Sequence, residues 1–337
     1  MEKVRWGLVG AGDIANKRVA PAIGAESRSV LSAIVDTDKA RAEKIARDFH
    51  CPKIYQGLEQ VLADKEIDAV YVATPVFLHA AQVVASLKAG KHVLCEKPLA
   101  LNYQQALGAA EAEKSAGKKA GVAYFRRFYP KYLQAREMLK TNSFGKVVLI
   151  RMAYHSWAEI APESPKYWRM VKEKSGGGVL SDMGCHMFDV MLGLFGLPEW
   201  VFAGIETMIL PYEVEDSAVM VMKYRSGPQV TASFHWNSKT WTHEFEIIGT
   251  EAKVKWWPYD SPKVFKTVGR DTQELELPNY ENVHLPLIED FVSAIIENRL
   301  PAISLAEAAK TNLLLDAVSL SSREARPVHL SELVPAR

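Results

Sequence analysis

The feature that most constrains the fold is a glycine-rich turn between a strand and a helix near the N-terminus. The apolar run Val4–Val9 predicts a strand, and Gly10-Ala11-Gly12-Asp13-Ile14-Ala15 follows it directly. In this pattern the first glycine permits a tight turn, the second lets the backbone approach a pyrophosphate, and the alanine lets the helix pack closely on the strand. The N-terminus of the helix then offers backbone N–H groups to phosphate charge. The spacing therefore predicts a dinucleotide-binding site, with Gly10, Gly12, Asp13 and Ile14 among its contacts.

An acidic residue at the end of the second predicted strand supports the same site. Val30–Val35 predicts that strand, and Asp36 and Thr37 follow it. A carboxylate at this position accepts hydrogen bonds from the ribose hydroxyls and repels a 2′-phosphate, which favours NAD over NADP. Arg41 is close enough in sequence to meet a 2′-phosphate if Asp36 turns aside, so NADP stays possible. The alternative, a tight turn with Asp36 as a helix cap, is disfavoured by the order of strand, turn, helix, strand and acid.

The alternation of elements changes near residue 124. Before it, short β-branched runs alternate with helical patterns, which predicts parallel βαβ units. After it, strands recur without helices between them, and Val230–Trp236 alternates apolar and polar residues, as in an antiparallel or mixed sheet. The predicted fold is α/β: a doubly wound parallel Rossmann domain over residues 1–124, then an α+β domain over 125–337 on a large, mainly antiparallel sheet. Capping pairs predict helix starts at Asn102 with Gln105 and at Ser304 with Glu307.

Composition excludes several classes of partner. Lys and Arg number 41 and Asp and Glu 40, so the net charge is +1 and the chain lacks the basic surface of a nucleic-acid binder. Three widely spaced cysteines form no disulfide framework, which favours a reducing compartment. No apolar run approaches the ~20 residues that span a bilayer. The sequence opens without a leader pattern, and we expect a cytoplasmic protein.

Polar residues follow the fourth and fifth predicted strands. Thr74-Pro75, with His79 beyond it, comes after the strand Ala69–Ala73, and Glu96-Lys97-Pro98 comes after His92–Cys95. Ligands of open α/β sheets bind at these carboxyl ends of parallel strands. The plain alternative for Lys97 is a solvated charge at a strand end.

A third segment combines glycines with an acid and a histidine. It reads Gly176-Gly177-Gly178-Val179-Leu180-Ser181-Asp182-Met183-Gly184-Cys185-His186. If Asp182 opens a helix, His186 lies one turn on and on the same face. The alternative makes Asp182 an N-cap and His186 a buried, satisfied histidine. Cys185 beside His186 suggests zinc, but a catalytic zinc needs three protein ligands and no second Cys/His cluster lies near, so we predict no metal.

Together these motifs resemble the Gfo/Idh/MocA family (glucose-fructose oxidoreductase, inositol dehydrogenase, rhizopine catabolism protein). The Glu-Lys-Pro and Asp-x-Gly-x-His motifs are fairly specific, and the match covers nearly the whole chain in order. Arg126-Arg127-Phe128-x-Pro130 and Trp168-Arg169 add to it. Within that family the chain resembles the 1,5-anhydrofructose reductases and the sugar and inositol dehydrogenases. Asp36 stands where those NADP-using reductases carry a small residue, so their cofactor choice is not transferred.

The resemblance implies a Lys–Asp–His centre beside the nicotinamide. His186 would be the general base in alcohol oxidation, because imidazole titrates near neutrality. Asp182 would orient His186 or bind a hydroxyl, and Lys97 would stabilise alkoxide charge. Tyr124, Trp157 and Trp168 could line a sugar-sized cleft, although core packing is favoured for Trp157. The cofactor contacts that we assign beyond the glycine-rich turn, Asp36, Thr37 and Arg41 are Thr74, Pro75, His79, Glu96, Lys97, Arg127, Trp168 and Arg169.

Two other functions fit the same motifs. An NAD-dependent glycoside hydrolase or lyase would oxidise its sugar transiently and carry the same hydride machinery. A non-catalytic dinucleotide-binding regulator has no chemical need for Lys97, Asp182 and His186 together. We expect a small carbohydrate or polyol as the substrate, with neither a nucleic acid nor a membrane as a partner. Apolar residues on both faces of Ala218–Trp236 predict a homodimer or homotetramer formed through the C-terminal sheet.

Overall fold

The computed structural model describes residues 3–335, and contacts within it divide the chain into two compact units. The first comprises Met1–Phe125 and Tyr280–Ala309, and the second Arg126–Asn279 and Lys310–Arg337. The sequence pattern predicts one domain over all of 125–337 and does not reveal that residues 280–309 return to the first unit. The division after residue 124 stays a prediction.

The strands follow one another along the chain as β1 (Val4–Val9), β2 (Ser29–Val35), β3 (Lys53–Tyr55), β4 (Ala69–Val72), β5 (His92–Cys95), β6 (Ala120–Val122), β7 (Val147–Trp157), β8 (Trp200–Glu206), β9 (Ser217–Lys223), β10 (Gln229–His235), β11 (Asn237–Gly249), β12 (Ala252–Trp256), β13 (Lys263–Val268), β14 (Asp271–Glu276) and β15 (Val328–His329).

The helices, in the same direction along the chain, are α1 (Ala20–Ala25), α2 (Lys39–Asp48), α3 (Leu58–Ala63), α4 (Val76–Lys88), α5 (Tyr103–Ala116), α6 (Pro130–Lys140), α7 (Lys172–Ser175), α8 (Cys185–Phe195), α9 (Leu285–Ile296) and α10 (Leu305–Glu324).

The first unit is built on a parallel sheet. Among the described residues it has six strands in the order β3-β2-β1-β4-β5-β6, and every neighbouring pair is parallel. This is the strand order of a dinucleotide-binding doubly wound fold, and the order reverses between β1 and β4. The predicted Rossmann sheet is confirmed.

The hydrophobic core of the first unit contains residues from both of its chain segments. Trp6 on β1 is fully buried, and its indole N–H donates to the Ser29 hydroxyl at 3.1 Å. Its ring centroid lies 5.7 Å from that of Phe291 on α9. The returning segment therefore completes the core that supports β1.

Both predicted capping pairs are present. The Asn102 side chain accepts from the Gln105 backbone N–H at 3.0 Å and begins α5. The Ser304 hydroxyl accepts from the Glu307 N–H at 3.3 Å ahead of α10. α4 begins at Val76, directly after Pro75, which has an extended conformation.

The second unit is built on a larger sheet. Among the described residues it has nine strands in the order β14-β13-β12-β11-β7-β10-β9-β8-β15. β7 and β10 run parallel, and the remaining pairs are antiparallel. Val230, Ala232 and Phe234 of β10 are buried. The predicted mainly antiparallel sheet, with one buried face, is confirmed.

A buried ion pair ties the start of the second unit to α8. The Arg127 Nε and Nη2 atoms donate to the two carboxylate oxygens of Asp189 at 2.9 and 2.7 Å. The two side chains are only 9% and 1% exposed. A planar guanidinium matches a carboxylate in this two-bond geometry, so the pair fixes the orientation of α8.

No helix within residues 3–335 combines the length and the apolarity that a bilayer crossing requires.

Candidate active site

The glycine-rich turn after β1 has the shape that a dinucleotide needs. Gly10 has φ +96°, and a Cβ atom there would lie 2.7 Å from the Ala73 carbonyl oxygen, so only glycine fits. A Cβ at Gly12 would meet no atom within 4 Å, which leaves the backbone there open to approach. Asp13 is exposed and Ile14 half-buried at the start of the following helix. A pyrophosphate fits this turn.

Asp36 is fixed at the end of β2 by three donors. One carboxylate oxygen accepts from the Ala11 N–H at 2.6 Å. The other accepts from the Asp38 N–H at 2.7 Å and from Arg41 Nη2 at 3.0 Å. Thr37 is exposed beside it. The carboxylate is thus held against the glycine-rich turn, at the position where a ribose would lie.

His79 joins the two turns that follow β4 and β5. Its Nδ1 lies 2.8 Å from the Pro98 carbonyl oxygen, and its Nε2 lies 2.7 Å from that of Thr74. Burial lowers the pKa of His79, and the two carbonyl contacts oppose that shift. Both ring nitrogens face backbone carbonyl groups, and the predicted contact of His79 with the cofactor stays a prediction. The residue braces the edge where Thr74 and Lys97 lie.

Glu96 is also directed inward. One of its carboxylate oxygens accepts from the Tyr71 hydroxyl at 2.8 Å and lies 3.3 Å from His284 Nε2. Burial favours the neutral acid, but hydrogen bonds from His284 and Tyr71 outweigh it and hold the pKa of Glu96 below its usual value. The cofactor contact assigned to Glu96 stays a prediction. Its other oxygen accepts from the Lys97 N–H at 3.3 Å, which positions the predicted catalytic lysine.

The other predicted residues of the first unit differ in exposure. Lys97 and Thr74 are half-buried at the carboxyl edge of the sheet, and the Thr74 hydroxyl donates to Gln82 at 2.7 Å. Tyr124 is fully buried. Lys97 and Thr74 thus keep exposed surface at the ligand edge, whereas a cleft-lining role for Tyr124 is not supported.

The helix of the second unit that carries Asp182 and His186 starts earlier than predicted. The helical run begins at Val179 and passes through a π turn over Leu180–Gly184 before α8. Asp182 therefore lies inside the first turn and is not an N-cap. The wider π turn also changes the angle between Asp182 and His186 that an α-helix would give. Single π turns of this kind occur frequently at functional sites.

Asp182 faces a cleft, whereas His186 is buried. The Asp182 side chain is 31% exposed, and its carboxylate lies 3.6 Å from Arg169 Nε. The Arg169 guanidinium stacks 4.7 Å from the centre of the Trp168 ring. His186 is 5% exposed. Trp168 and Arg169 thus belong to the surroundings of Asp182, and Arg127 pairs with Asp189. The cofactor contacts assigned to these three residues stay predictions.

The cleft beside Asp182 has a volume of about 440 Å³. Its walls combine aromatic rings with polar and charged groups, and they include Tyr154, Ser156, Trp157, Lys166, Asp182 and Trp236. The expectation that Trp157 packs in the core is wrong, because it is 39% exposed and lines this cleft. Aromatic faces with a few polar groups between them suit a ligand that has both apolar ring faces and hydroxyls.

Two residues of these sites were missed by sequence reasoning. His284 reaches Glu96 from a segment 188 positions away. Glu215 accepts from the backbone N–H of Leu180 at 3.1 Å, at the start of the helix that carries Asp182. Neither residue lies near a recognisable motif; the signal that could have indicated a close approach of Glu215 is the glycine run preceding Asp182.

Comparisons with known proteins agree with this architecture. Residues 4–124 match the model of the oxidoreductase family with an NAD-binding Rossmann fold, and residues 132–255 match the GFO/IDH/MocA C-terminal domain. The chain is similar to 1,5-anhydro-D-fructose reductase of Ensifer adhaerens, with 32% identity over 254 residues and 74% of each chain covered. It is also 26% identical to D-xylose 1-dehydrogenase (NADP(+)) 2 of Haloferax volcanii, over 96% of this chain and 99% of the other.

The fold is likewise similar to that of a levoglucosan dehydrogenase solved in complex with NADH. The TM-score is 0.89 at 23% identity, with 97% of this chain and 99% of the other covered. Fold and site together define an NAD(P)-dependent oxidoreductase with a Rossmann cofactor domain. Within that class the chain belongs to the Gfo/Idh/MocA family.

Proposed function

We propose that the protein transfers a hydride between a nicotinamide cofactor and a secondary alcohol or ketone of a sugar, sugar derivative or polyol. The observation that carries this proposal is the cleft of the second unit, where Asp182 lies among Tyr154, Trp157 and Trp236. The relatives named above act, by their names, on 1,5-anhydro-D-fructose, D-xylose and levoglucosan. Carbohydrates of this size suit the cleft, whose aromatic rings can stack on a sugar face.

Different residues of this chain bind the cofactor and transfer the proton. The cofactor, when bound at Gly10–Ala15 and Asp36, supplies the hydride acceptor or donor. His186 removes the hydroxyl proton during oxidation and returns it during reduction. Asp182 orients His186 or holds a neighbouring hydroxyl, and Lys97 stabilises charge on the substrate oxygen.

A substrate screen tests this function. Levoglucosan, D-xylose, polyols and sugar acids are incubated with NAD, and 1,5-anhydro-D-fructose with NADH, while absorbance of the reduced cofactor is followed. We expect free NADH to accumulate with at least one alcohol, or NADH to be consumed by the ketone. Product formation without net change in the cofactor would instead identify a glycoside hydrolase or lyase. A complete absence of turnover on these compounds would count against the proposal.

Replacing Asp36 with Ser is expected to shift cofactor preference from NAD towards NADP. The carboxylate that accepts from the ribose and repels a 2′-phosphate is lost, and Arg41 is released from its contact at 3.0 Å. Loss of one hydrogen bond to a charged group corresponds to roughly 10- to 100-fold in NAD affinity. Direct titration of both cofactors by protein fluorescence, followed by steady-state kinetics, measures the change.

Asp38 provides a matched control for that experiment. It also contacts Arg41, at 3.3 Å, but its side chain is 47% exposed and it caps α2. Replacing Asp38 with Ser should leave the ratio of NAD to NADP affinity unchanged. A wild-type protein that already prefers NADP would show that the role given to Asp36 is wrong.

We also propose that the outer face of the second sheet mediates self-association. Phe202, Val219 and Val221 are 43%, 53% and 42% exposed. They lie on neighbouring strands, because Phe202 pairs with Val221 and Val219 with Gly204. A contiguous apolar patch of this kind usually marks an interface.

Replacing Val219 and Val221 together with Lys is expected to convert a homodimer or homotetramer into a monomer. Two charges at the centre of an apolar interface would have to be desolvated without partners. Size-exclusion chromatography with light scattering at micromolar concentration measures the mass. Leu133→Lys, at an exposed leucine of α6 (42% exposed), is the control and should not change it. A monomeric wild-type protein would refute the interface.

A further inference from the structure

Glu215 lies two residues before β9 and reaches the start of the helix that carries Asp182 and His186. Its carboxylate accepts from the Leu180 N–H at 3.1 Å. Its backbone carbonyl accepts from the Val179 N–H at 3.3 Å. One residue thus satisfies two successive N–H groups that the first turn of a helix leaves without partners inside the helix.

The glycine run is shaped by this contact. A Cβ atom at Gly178 would overlap the carbonyl oxygen of Glu215. A Cβ at Gly177 would lie 3.3 Å from both carboxylate oxygens of Glu215 and 2.7 Å from the Ser181 hydroxyl oxygen. The glycines therefore allow Glu215 to approach the helix backbone closely, which accounts for a part of the motif that the cofactor and the catalytic groups do not use.

The contact also determines where the helix begins. The Asp182 N–H donates to the Gly178 carbonyl oxygen at 3.0 Å. Gly178, which packs against Glu215, is therefore also the hydrogen-bond acceptor for the backbone of Asp182. The π turn over Leu180–Gly184 follows at once. A displacement of the backbone at Gly178 or Leu180 would therefore also displace the Asp182 carboxylate, which lies at the cleft.

We propose that Glu215 is a positioning residue for the active site: it holds the first turn of this helix so that Asp182 and His186 are correctly placed for proton transfer. The proposal rests on the function proposed above, because it takes Asp182 and His186 as the reacting groups. Glu215 is assigned no contact with substrate. Burial raises the pKa of Glu215, with the N–H groups of Gly178 and Leu180 opposing that rise, as expected for a carboxyl group enclosed at a helix start.

Amide hydrogen exchange tests the physical part of the proposal without any substrate. In Glu215→Ala the Leu180 amide loses its acceptor and should exchange about 10- to 100-fold faster, the factor for a lost bond to a charged acceptor. The Val179 amide is an internal reference, because its acceptor is the backbone carbonyl that the substitution keeps. Unchanged exchange at Leu180 would overturn the proposal.

Kinetics tests the functional part, using the carbohydrate that gives the highest turnover in the substrate screen. Glu215→Ala should lower kcat by about 10- to 100-fold, since a 1 Å misplacement of reacting groups has an effect of this size. The KM for NAD should not change, and kcat is expressed per NAD site found by titration, so that a loss of folded protein is not counted. Glu215→Gln should recover most of the activity, because its amide oxygen can accept from the same Leu180 N–H.

Glu213 supplies the matched control. It is exposed and accepts from the Lys172 N–H at 3.3 Å, so Glu213→Ala should retain wild-type kcat. If Glu215→Ala does not fold, Glu215→Asp tests the positioning role instead. This substitution keeps the charge but shortens the side chain by one methylene, so it should also lower kcat. A kcat for Glu215→Ala or Glu215→Asp within twofold of wild type would overturn the positioning role.

The outcome is separable from that of the proposed function. If His186→Asn abolishes turnover while the Glu215 variants retain it, the positioning role fails and the catalytic assignment stands. If His186→Asn retains turnover, the catalytic assignment of His186 fails whatever the Glu215 variants do.

Discussion

Replacing Lys97 with Met or His186 with Asn is expected to lower turnover by ~10²–10⁴, the range for a lost general acid or base. Lys97→Met keeps the stem of the side chain and removes its charge, and His186→Asn removes the titratable ring. NAD binding should stay nearly intact, because the glycine-rich turn and Asp36 hold the cofactor. Steady-state kinetics with the best carbohydrate of the screen, and NAD titration by fluorescence, measure the two effects separately.

Asp182→Asn refines this test. It should reduce kcat less than His186→Asn if Asp182 only orients its neighbours, and about as much if it belongs to the proton path. Oxidation by the wild-type protein should also accelerate as the pH rises through the titration of a histidine base, with the opposite trend for reduction. Values of kcat for Lys97→Met and His186→Asn within threefold of wild type, in folded protein, would remove both residues from catalysis and favour a regulatory function.

Replacing Asp189 with Ala is expected to destabilise the protein by about 3–5 kcal/mol, the cost of leaving a buried charge without its carboxylate partner. Arg127 would remain nine-tenths buried while its Nε and Nη2 atoms lose both carboxylate oxygens. Urea unfolding followed by tryptophan fluorescence measures the free energy of unfolding.

Asp48→Ala is the control for this change. Asp48 pairs with Lys44 on α2 at 2.6 Å, but the two side chains are 45% and 57% exposed. Removing such a pair should cost less than about 0.5 kcal/mol. Equal losses for the two substitutions would contradict the structural importance assigned to the buried pair.

The fold was predictable wherever hydrophobic pattern and local chemistry agree. β1 and β5 have the predicted bounds, since each is a short, largely apolar run between turn residues. The hairpin of β13 and β14 was missed because β14 has mostly exposed residues and so lacks an apolar face. The place of residues 280–309 was also not predictable, because no local pattern encodes which distant core α9 completes.

Only the sequence motifs of the site could be predicted, and not the contacts that their side chains make. Gly10, Gly12 and Asp36 stand at a turn whose geometry their chemistry requires, so local sequence was sufficient. His79 and Glu96 carry equally suggestive side chains, yet both turn inward, because carbonyl oxygens and His284 offer them partners that only the folded chain brings near. The π turn at Leu180–Gly184 begins at a residue that Glu215 contacts, and a helical periodicity does not reveal it.

The return of residues 280–309 has a consequence for how the protein is made. During synthesis the first 125 residues are added long before His284 and Phe291. Until then Trp6 lacks its contact with Phe291, and Glu96 lacks its contact with His284. At ~5–20 residues per second, more than 150 further residues take many seconds to add. The cofactor domain is therefore finished late, after strands β7 to β14 of the second sheet have been synthesised, and a nascent chain halted after residue 125 would lack part of the core of the first unit.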